Sequence, residues 1–245
     1  MDRGFYALGS GMLTQGRILT GISNNLANIQ TPGYKKKTVS ATTFGNMVFN
    51  RVGQENTEIG TMSLITAADK TNTVNTQGVL NNTNRALDFA IKGDGFFAVQ
   101  GANGTVYTRN GSFNVDKDGY LTLNNAGRVL GSNGPIKVGT DQLEADEQGN
   151  LTANGKNVGK IAVYNFADYN NLQPAGEGMF SSSGAAPTLM QTPSILWKTV
   201  EGSNVNAAQE MTNAISVQRN LQNCSQALKM YDQVLSSTVT NIAKI

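Results

Sequence analysis

Two pairs of carboxylates lie close enough together in the sequence to be candidates for acid–base catalysis. Asp116 and Asp118 lie in the stretch "NVDKDG", and Glu144 and Asp146 lie in "LEADEQG". Two carboxyl groups can divide the roles of acid and nucleophile in glycoside hydrolysis, provided that they face a substrate cleft. Both stretches are instead typical of tight turns, in which Asp and Gly support the chain reversal. We therefore expect no catalytic pair at either place.

The other residue types that carry chemistry are scarce in this sequence of 245 residues. There is no histidine, and the single cysteine is Cys224. These absences exclude a Ser-His or Cys-His nucleophile, a zinc site of several thiolates and an intrachain disulfide. "NVDKDG" resembles the start of an EF-hand loop, but the twelfth position of that loop is a glutamate and here it is Asn125. We expect no catalytic residue, no cofactor and no metal.

The charge balance argues against polyanionic partners. The sequence has 19 Lys and Arg residues against 17 Asp and Glu, a formal net charge of +2, whereas nucleic-acid binding needs a concentrated basic surface. The basic run "YKKK" at 34–37 is more typical of a solvated segment after a helix. No apolar run is long enough to span a bilayer, and the first residues lack the apolar core of a signal peptide. We expect no nucleic acid, no membrane insertion and no cleaved signal peptide.

An amphipathic helix is predicted at the N-terminus. Its apolar positions follow steps of three and four, which is the period of a packed helix face. Five glycines interrupt this face between residues 4 and 21, and each costs about 1 kcal/mol relative to alanine. We therefore expect the helix to form only when it is packed. The predicted seam consists of Phe5, Leu8, Met12, Gln15, Leu19, Ile22 and Leu26.

A second amphipathic helix is predicted at the C-terminus. It begins at Asn206, which has Gln209 three residues later, as in a capping box. Its seam keeps the three-four period for nearly four heptads and consists of Ala214, Val217, Leu221, Cys224, Leu228, Tyr231, Leu235, Thr238 and Ile242. An ordinary bundle helix is the alternative, but further apolar residues beside the seam predict contacts with more than one neighbour. These residues are Ile215, Met230, Val234 and Val239.

The middle of the sequence predicts short antiparallel strands. From about residue 81 to residue 193, apolar residues alternate or form short runs between Gly, Asn and Asp, as they do in β-hairpins. A weak internal repeat supports this prediction, because "FNVDKDGYLTL" at 113–123 and "LEADEQGNLTA" at 143–153 align without gaps. Each repeat predicts a strand, an Asp-x-x-Gly turn and a second strand.

The predicted fold class is therefore mixed α and β. The two terminal helices would form a discontinuous coiled-coil domain, and the centre would be an all-β domain of short antiparallel strands. The predicted limits are a helical segment at 1–34, an extended linker at 35–79, a β domain at 80–195 and a second helical segment at 196–245. The linker prediction depends on a polar, β-branched stretch without helical period.

The stretch "TPGY" at 31–34 ends the first helix. Pro32 fixes φ and Gly33 accepts a positive φ, which are the requirements of a type II turn. We expect the turn to direct the chain away from the helix, with the amides of Asn24, Asn25 and Asn28 available to neighbouring backbones. On this basis Gly33→Val should be more harmful than Gly33→Asn, because asparagine tolerates a positive φ better than valine does.

These stretches together resemble a known family. "ISNNLANIQTPGYKKK" at 22–37 is similar to the N-terminal signature of the flagellar axial proteins, which are the rod, hook and hook-associated subunits. "RALDFAIKGDGFFAVQ" at 85–100 and "YTRNGSFNVDKDGYLTL" at 107–123 resemble β-domain motifs of the rod and hook proteins. "EGSNVNAAQEMTNAISVQRNLQ" at 201–222 resembles their C-terminal signature. The signature positions in this sequence are Asn24, Asn25, Leu26, Ala27, Asn28, Thr31, Pro32, Gly33, Tyr34, Ser203, Asn204 and Val205.

The resemblance extends to one type of subunit within the family. "GRVLGSNGPIKV" at 127–138 is similar to the proximal rod subunit, which precedes the distal rod. The distal rod subunit, or another subunit of the hook and basal body, is the alternative. The sequence departs from the family where a "G-x-L-E-x-S-N-V" run is common, because it has "KTVEGSNV" at 198–205.

The resemblance implies a structural subunit and not an enzyme. In this family the terminal helices pair and pack against those of neighbouring copies to form the tube of a helical rod, which transmits torque from motor to hook. The implied partners are further copies, other rod and hook-basal-body subunits and the flagellar type III export apparatus, and the implied location is the basal body. The assembly residues would be Leu8, Met12, Leu19, Ile22, Leu26, Val217, Leu221, Leu228, Tyr231, Leu235 and Ile242.

Two other classes of function are compatible with the residues alone. A cell-wall hydrolase would use one of the carboxylate pairs in the turns and would digest peptidoglycan. A surface adhesin with coiled-coil ends would bind a partner through its β domain.

Overall fold

The structure of the protein is a computed structural model that describes residues 2–51, 57–101, 104–176, 178–184 and 186–242. At 2–3, 43–51, 57–69, 170 and 241–242 it describes the backbone alone. The chain divides into two compact units. Unit 1 comprises Met1–Ala27, Lys37–Val74 and Asn206–Ile245, and unit 2 comprises Asn28–Lys36 and Asn75–Val205.

The described part of the chain contains the two predicted helices, α1 (Asp2–Ala27) and α2 (Ala207–Ile242). The start of α2 agrees with the predicted cap, because Gln209 N donates to Asn206 Oδ1 at 3.2 Å. This bond satisfies one of the N–H groups that have no partner within the first turn of a helix. Over its described residues, neither helix is long and apolar enough to cross a membrane.

The described strands are short, except for the first two. A single 3₁₀ turn, Tyr169–Asn171, precedes β15. In chain order the strands are β1 Lys37–Arg51, β2 Thr57–Thr73, β3 Leu80–Asn82, β4 Phe89–Ile91, β5 Phe96–Gly101, β6 Gly104–Thr108, β7 Asn114–Val115, β8 Leu121–Leu123, β9 Gly127–Gly131, β10 Gly134–Pro135, β11 Leu143–Ala145, β12 Asn150–Ala153, β13 Lys156–Lys160, β14 Val163–Asn165, β15 Leu172–Gly176, β16 Met179–Ser182, β17 Thr188–Leu189, β18 Ile195–Trp197 and β19 Thr199–Glu201.

Unit 1 combines the two helices with a long hairpin. β1 and β2 pair antiparallel from Lys37↔Thr73 to Arg51↔Thr57, and α1 contacts α2 and both strands. The prediction of an extended linker at 35–79 is therefore wrong for most of this stretch. A polar, β-branched segment has little tendency to form a helix, and pairing with a second strand satisfies the N–H and C=O groups of its extended backbone.

Unit 2 is built of antiparallel sheets, as the sequence predicts for this region. The largest sheet has the order β15-β16-β6-β5-β9-β8-β7, with β10 on β9, and with β14 on β5 and β17. A smaller sheet has the order β11-β12-β13. Two further pairs join strands that are distant in sequence, β18 with β4 and β19 with β3. These pairs fix the segment that precedes α2 to the beginning of the β region.

The core of unit 2 is apolar, with aromatic rings packed among aliphatic side chains. Phe113 lies between two other fully buried rings, with centroid distances of 5.9 Å to Phe89 and 5.3 Å to Phe97. Burial of such rings stabilises the unit because each removes a large apolar surface from water. A second cluster contains Phe96, Ala98, Tyr107, Phe166, Leu172 and Phe180.

The two repeated sequences form the same turn. Asp116 Oδ1 accepts a hydrogen bond from Tyr120 N at 2.7 Å, and Asp146 Oδ1 accepts one from Asn150 N at 2.8 Å. The glycines of the two turns have φ of 83° and 84°, a region that other residues reach only with strain. The predicted Asp-x-x-Gly turns are therefore confirmed.

The observed architecture is mixed α and β, with a β-rich centre and a C-terminal helix, as predicted. The coiled-coil nature of the helical domain stays a prediction, and so do the sequence limits predicted for the helical segments and the β domain.

Candidate functional site

The seam predicted on α2 is the face of that helix with the least exposure. Val217 is buried, whereas Thr238 is exposed and the side chain of Ile242 lies outside the described residues. Most of the positions between the seam residues are exposed. The half-buried seam residues are Ala214, Leu221, Cys224, Leu228, Tyr231 and Leu235.

The seam predicted on α1 also lies on the covered side of its helix, with one exception. Ile22 is buried, but Phe5 is 53% exposed, so its place in the predicted seam is wrong. Close packing does not explain most of the glycines, because a Cβ added at Gly9, Gly11 or Gly16 would meet no atom within 4 Å. The half-buried seam residues are Leu8, Met12, Gln15, Leu19 and Leu26.

A second set of apolar residues on the same two helices is exposed, and we call this set the outer face. On α1 it comprises Phe5, Tyr6 and Leu13, which are 53, 65 and 75% exposed. Beside these three residues the surface of α1 forms an open apolar groove of about 510 Å³. Exposed apolar clusters mark surfaces that bind other molecules. On α2 the outer face comprises Met211, Ile215, Met230, Val234 and Val239, which are 52–67% exposed.

A buried amide holds three segments of unit 1 together. Asn25 is 1% exposed. Its Nδ2 donates to Lys37 O at 2.8 Å and to Glu210 Oε2 at 3.1 Å, and its Oδ1 accepts from Lys37 N at 2.9 Å. We call these contacts the unit 1 clasp. Asn25 bonds a neighbouring backbone, as expected for an amide at this end of the helix, and that backbone is the one of Lys37 within unit 1. Glu210, also 1% exposed, was not singled out by sequence reasoning.

The "TPGY" turn has the predicted geometry. Tyr34 N donates to Thr31 O at 3.3 Å, and Gly33 has φ +68°, as the third position of a type II turn requires. Thr31 Oγ1 also donates to Asn28 Oδ1 at 3.2 Å. Gly33 N donates to Glu201 O at 2.7 Å, which joins the turn to β19.

The surroundings of Gly33 change the expectation for its variants. A Cβ at this position would lie 2.3 Å from Asn110 N and 2.4 Å from Arg109 C. Both atoms belong to the backbone, which cannot move aside as a flexible side chain can. This contact adds a cost that Gly33→Asn and Gly33→Val share, because every side chain begins with the same Cβ, and the expected difference between the two variants stays a prediction.

A buried carboxylate lies between two cations in unit 2. Glu201 Oε1 accepts from Lys35 Nζ at 2.6 Å and from Gly78 N at 3.0 Å, and Oε2 accepts from Arg109 Nη1 at 3.1 Å. The three charged side chains are no more than 3% exposed. We call this group the unit 2 clasp. The prediction of a solvated basic run is wrong for Lys35, which is the first lysine of "YKKK".

The cations of the unit 2 clasp bind further backbone groups. Lys35 Nζ donates to Thr76 O at 2.8 Å, and Arg109 Nη2 donates to Gly93 O at 2.8 Å. Burial lowers the pKa of Lys35, and the hydrogen bond that Lys35 donates to Glu201 opposes that decrease only in part, together with the charge of this carboxylate. The clasp thereby connects the turn after α1, the segment after β2, the end of β6 and β19. Only the fold reveals this group, because its three charges are far apart in the sequence.

The C-terminal signature lies beside the unit 2 clasp. Asn204 Oδ1 accepts from Lys36 N at 2.7 Å, and Asn204 Nδ2 donates to Thr76 O at 3.0 Å. Val205 is buried, and its N–H donates to Ser203 Oγ at 3.3 Å. The signature residues of unit 2 therefore hold the segments 28–36, 75–79 and 201–205 in one polar arrangement.

Other signature residues differ in exposure. Asn24 and Ala27 are exposed, Leu26 and Pro32 are half-buried, and Tyr34 is 5% exposed. Their side chains offer no common chemical group, so the sequence signature is a mixture of packing, turn and hydrogen-bonding positions.

The carboxylates considered for catalysis mostly serve structure. Asp116 Oδ2 accepts from Arg128 Nε at 3.0 Å, and Asp118 pairs with the same guanidinium. Desolvation raises the pKa of Asp116, but the hydrogen bonds from Tyr120 N and Arg128 outweigh it and lower the pKa below its usual value. Asp146 binds the backbone and side chain of Asn150. Among the described residues, no group of His, Cys, Asp and Glu is arranged to hold a metal ion.

Two family models match the chain. Residues 90–160 match the flagellar hook protein FlgE/F/G D1 domain, and residues 198–242 match the flagellar basal body rod FlgEFG protein C-terminal region. The first match lies in unit 2, and the second covers β19, the C-terminal signature and α2.

Full-length relatives decide the family. The chain is 31% identical to the flagellar basal-body rod protein FlgG of Bacillus subtilis, an alignment that covers 98% of each chain. The chain belongs to the flagellar basal-body rod protein family. It is also 32% identical to FlgG of Agrobacterium fabrum, over 95% of this chain and 97% of that protein. It is 32% identical to the basal-body rod protein FlgF of Mesorhizobium japonicum, over 93% of this chain and 92% of that protein.

Membership of the rod family confirms the prediction of a structural rod subunit. The flagellum is the location that this membership implies. It also implies that the protein assembles with other rod and hook subunits.

Proposed function

We propose that this rod protein is a non-catalytic subunit that assembles helically with further copies of itself, and that the outer face makes the contacts between copies. The observation that carries the proposal is the exposure of eight large apolar side chains on α1 and α2. Burying one such side chain is worth roughly 1.5–3 kcal/mol. Exposure of these side chains to water is unfavourable in free energy, and contact with a neighbouring subunit would remove that cost.

The seam and the outer face would have different tasks. The seam residues are covered within unit 1, which supports a coiled-coil pairing of α1 with α2 inside each subunit. The outer-face residues lie at other positions of the same helices and would meet the helices of neighbours. This division revises the expectation that the seam itself makes the contacts between subunits.

The two clasps suit the transmission of torque. A rod passes on torque only if its subunits resist internal shearing. The unit 1 clasp fixes α1, β1 and the first turn of α2 to one another through Asn25. The unit 2 clasp fixes four segments through Glu201. Buried charged hydrogen bonds have defined geometry, so they oppose sliding of these segments.

We further propose that the subunit reaches the basal body through the flagellar type III export apparatus, without cleavage of a signal peptide. Family membership supports this route.

The test places a charge on the outer face. Leu13→Asp and Val234→Asp are matched with Ser23→Asp and Gln233→Asp, which add the same charge at exposed polar positions of the same helices. The variants replace the native copy in cells, and swimming and the rod content of purified basal bodies are measured. We expect the outer-face variants to abolish both, because a charge in a buried contact is costly unless it is paired, and the controls to retain both.

The isolated subunits complete this experiment. Exposed substitutions change stability by about 0.5 kcal/mol or less, so the outer-face variants should unfold like the unmodified protein. Leu19→Asp and Leu228→Asp, on the seam, should instead weaken the helices of the isolated subunit. Normal rods built from Leu13→Asp and Val234→Asp would disprove the assignment of the outer face.

A further inference from the structure

A polar cavity of unit 2 has no part in the proposed assembly. It has a volume of about 410 Å³ and lies beside β11, β12 and the end of β18. This volume is within the range of small-molecule sites, roughly 300–1,000 Å³. The cavity is open to solvent, and its lining combines one indole with several polar side chains.

Four polar side chains of the lining are unused. These side chains belong to Gln142, Glu144, Thr152 and Asn154. Among the described residues, none of them has a hydrogen-bond or ion-pair partner. Glu144 and Thr152 lie opposite each other on β11 and β12, so a carboxylate and a hydroxyl point from one face of the hairpin. By contrast, Asp146, in the turn of the same hairpin, makes several bonds.

An indole of fixed orientation forms another side of the cavity. Trp197 Nε1 donates to Ala86 O at 2.9 Å, and the ring also packs against the apolar core. The Lys198 ammonium lies 4.2 Å from the ring. Lys198 has φ +53°, which is uncommon for a residue other than Gly, Asn or Asp. Unusual backbone conformations of this kind are concentrated at binding sites.

The charges of the lining restrict the ligand. Glu144 disfavours an anion, and Lys198 disfavours a cation. One lysine does not provide the several donors that a phosphate group needs. The remaining class is a neutral ligand that has an apolar face and many hydroxyl or amide groups.

We propose that this cavity binds a saccharide. The C–H face of a pyranose ring would lie on Trp197 in place of the Lys198 ammonium, since an indole combines a large apolar surface with defined geometry. Hydroxyl and acetamido groups of the sugar would pair with Gln142, Glu144, Thr152 and Asn154, which offer both donors and acceptors. Binding without hydrolysis is expected, because Asp146, the second carboxylate of this hairpin, is engaged in its turn.

The experiment uses the emission of Trp197, which is the single tryptophan of the chain. The full-length protein is titrated with chitotriose, a trimer of N-acetylglucosamine, and with maltotriose, which lacks acetamido groups. We expect a saturable change in emission with chitotriose. A weaker change in emission with maltotriose would show that the acetamido groups contribute to the affinity, as expected if they pair with the amide side chains of the cavity.

Variants locate the binding. The double variant Glu144→Ala with Thr152→Val should weaken binding by about tenfold or more, as expected for the loss of a hydrogen bond to a charged group together with a second bond. The control is Glu147→Gln, which also removes one negative charge but lies at an exposed position outside the cavity. It should bind the sugar like the unmodified protein. Equal emission of all variants without sugar shows that the fold around Trp197 is retained. The absence of a saturable change with both sugars, or an unchanged affinity of the double variant, would overturn the proposal.

Discussion

The two units treat their large apolar side chains in opposite ways. In unit 2, Phe89, Phe97 and Phe113 are fully buried. In unit 1, Leu13 is 75% exposed and Val239 is 67% exposed. Val79 is the one large apolar residue of unit 2 that is clearly exposed among the described side chains. A unit that closes its own core can fold alone, whereas a unit that leaves such a surface in water depends on a neighbour.

Their buried polar groups differ as well. The unit 1 clasp pairs a buried amide, Asn25, with one buried carboxylate, Glu210, whereas the unit 2 clasp buries three charged groups, Glu201 and its two cations. Buried charges are tolerated only when each has partners, and removal of one partner leaves the others unpaired. Unit 2 should therefore have a unique and sharply defined fold, and unit 1 should be easier to open.

The largest effect is expected from Glu201→Gln. The variant leaves Lys35 and Arg109 buried without a counter-charge, and loss of one partner from a buried ion pair costs about 3–5 kcal/mol. Urea unfolding followed by Trp197 emission measures the stability of unit 2. Asp118→Asn is the control, since it removes an exposed partner of Arg128, and solvent screens such pairs. Equal unfolding midpoints for the two variants would show that the unit 2 clasp adds nothing to stability.

A smaller effect is expected from Gly33→Ala. Its φ of +68° alone costs a side chain roughly 1–2 kcal/mol, and the Cβ would also meet the backbone of Arg109 and Asn110. Gly139→Ala is the matched control, because Gly139 has φ +67° and open space around it. Both variants place a side chain at the same positive φ. The difference between their unfolding free energies therefore measures the cost of the contact between the Cβ and the backbone of Arg109 and Asn110. We expect Gly33→Ala and Gly33→Asn to be similar, and both to be clearly worse than Gly139→Ala.

The smallest effect concerns acid. Desolvation raises the pKa of Asp146, but hydrogen bonds from Asn150, Gln148 and Gly149 outweigh it and lower the pKa below its usual value. The carboxylate therefore stabilises the fold above the pKa of unfolded Asp, about 3.9, and this contribution is lost as the pH falls through the lower folded value. As the pH is lowered from about 5 to about 2.5, the melting temperature of Asp146→Asn should fall less than that of the unmodified protein. An identical loss in both proteins would contradict this assignment.

Local patterns in the sequence predicted much of this fold. The three-four period located the covered side of α2, and the repeated Asp-x-x-Gly turns were recognised because their hydrogen bonds span only a few residues. The exposure of Phe5 was missed, since periodicity does not show where a packed face ends. The hairpin β1–β2 was also missed, because its polar residues do not alternate with apolar ones.

The two clasps could not be predicted from local sequence patterns, because their residues are far apart in the sequence. Glu201 and Lys35 are 166 positions apart, and Asn25 and Glu210 are 185 positions apart. Within its own segment each residue resembles an ordinary surface side chain. Only the pairing of β19 with β3 and the packing of α1 in unit 1 bring these groups together.

Hydrogen exchange of the backbone amides tests the contrast between the units most directly. In the isolated subunit at low concentration, we expect strong protection of β5, β6 and β9 in unit 2 and weak protection of α1 and α2, since helices with an uncovered apolar face gain most of their stability from packing. In assembled rods the same helices should become as protected as the sheet. Strong protection of α1 and α2 in the isolated subunit, unchanged on assembly, would contradict the dependence of unit 1 on its neighbours.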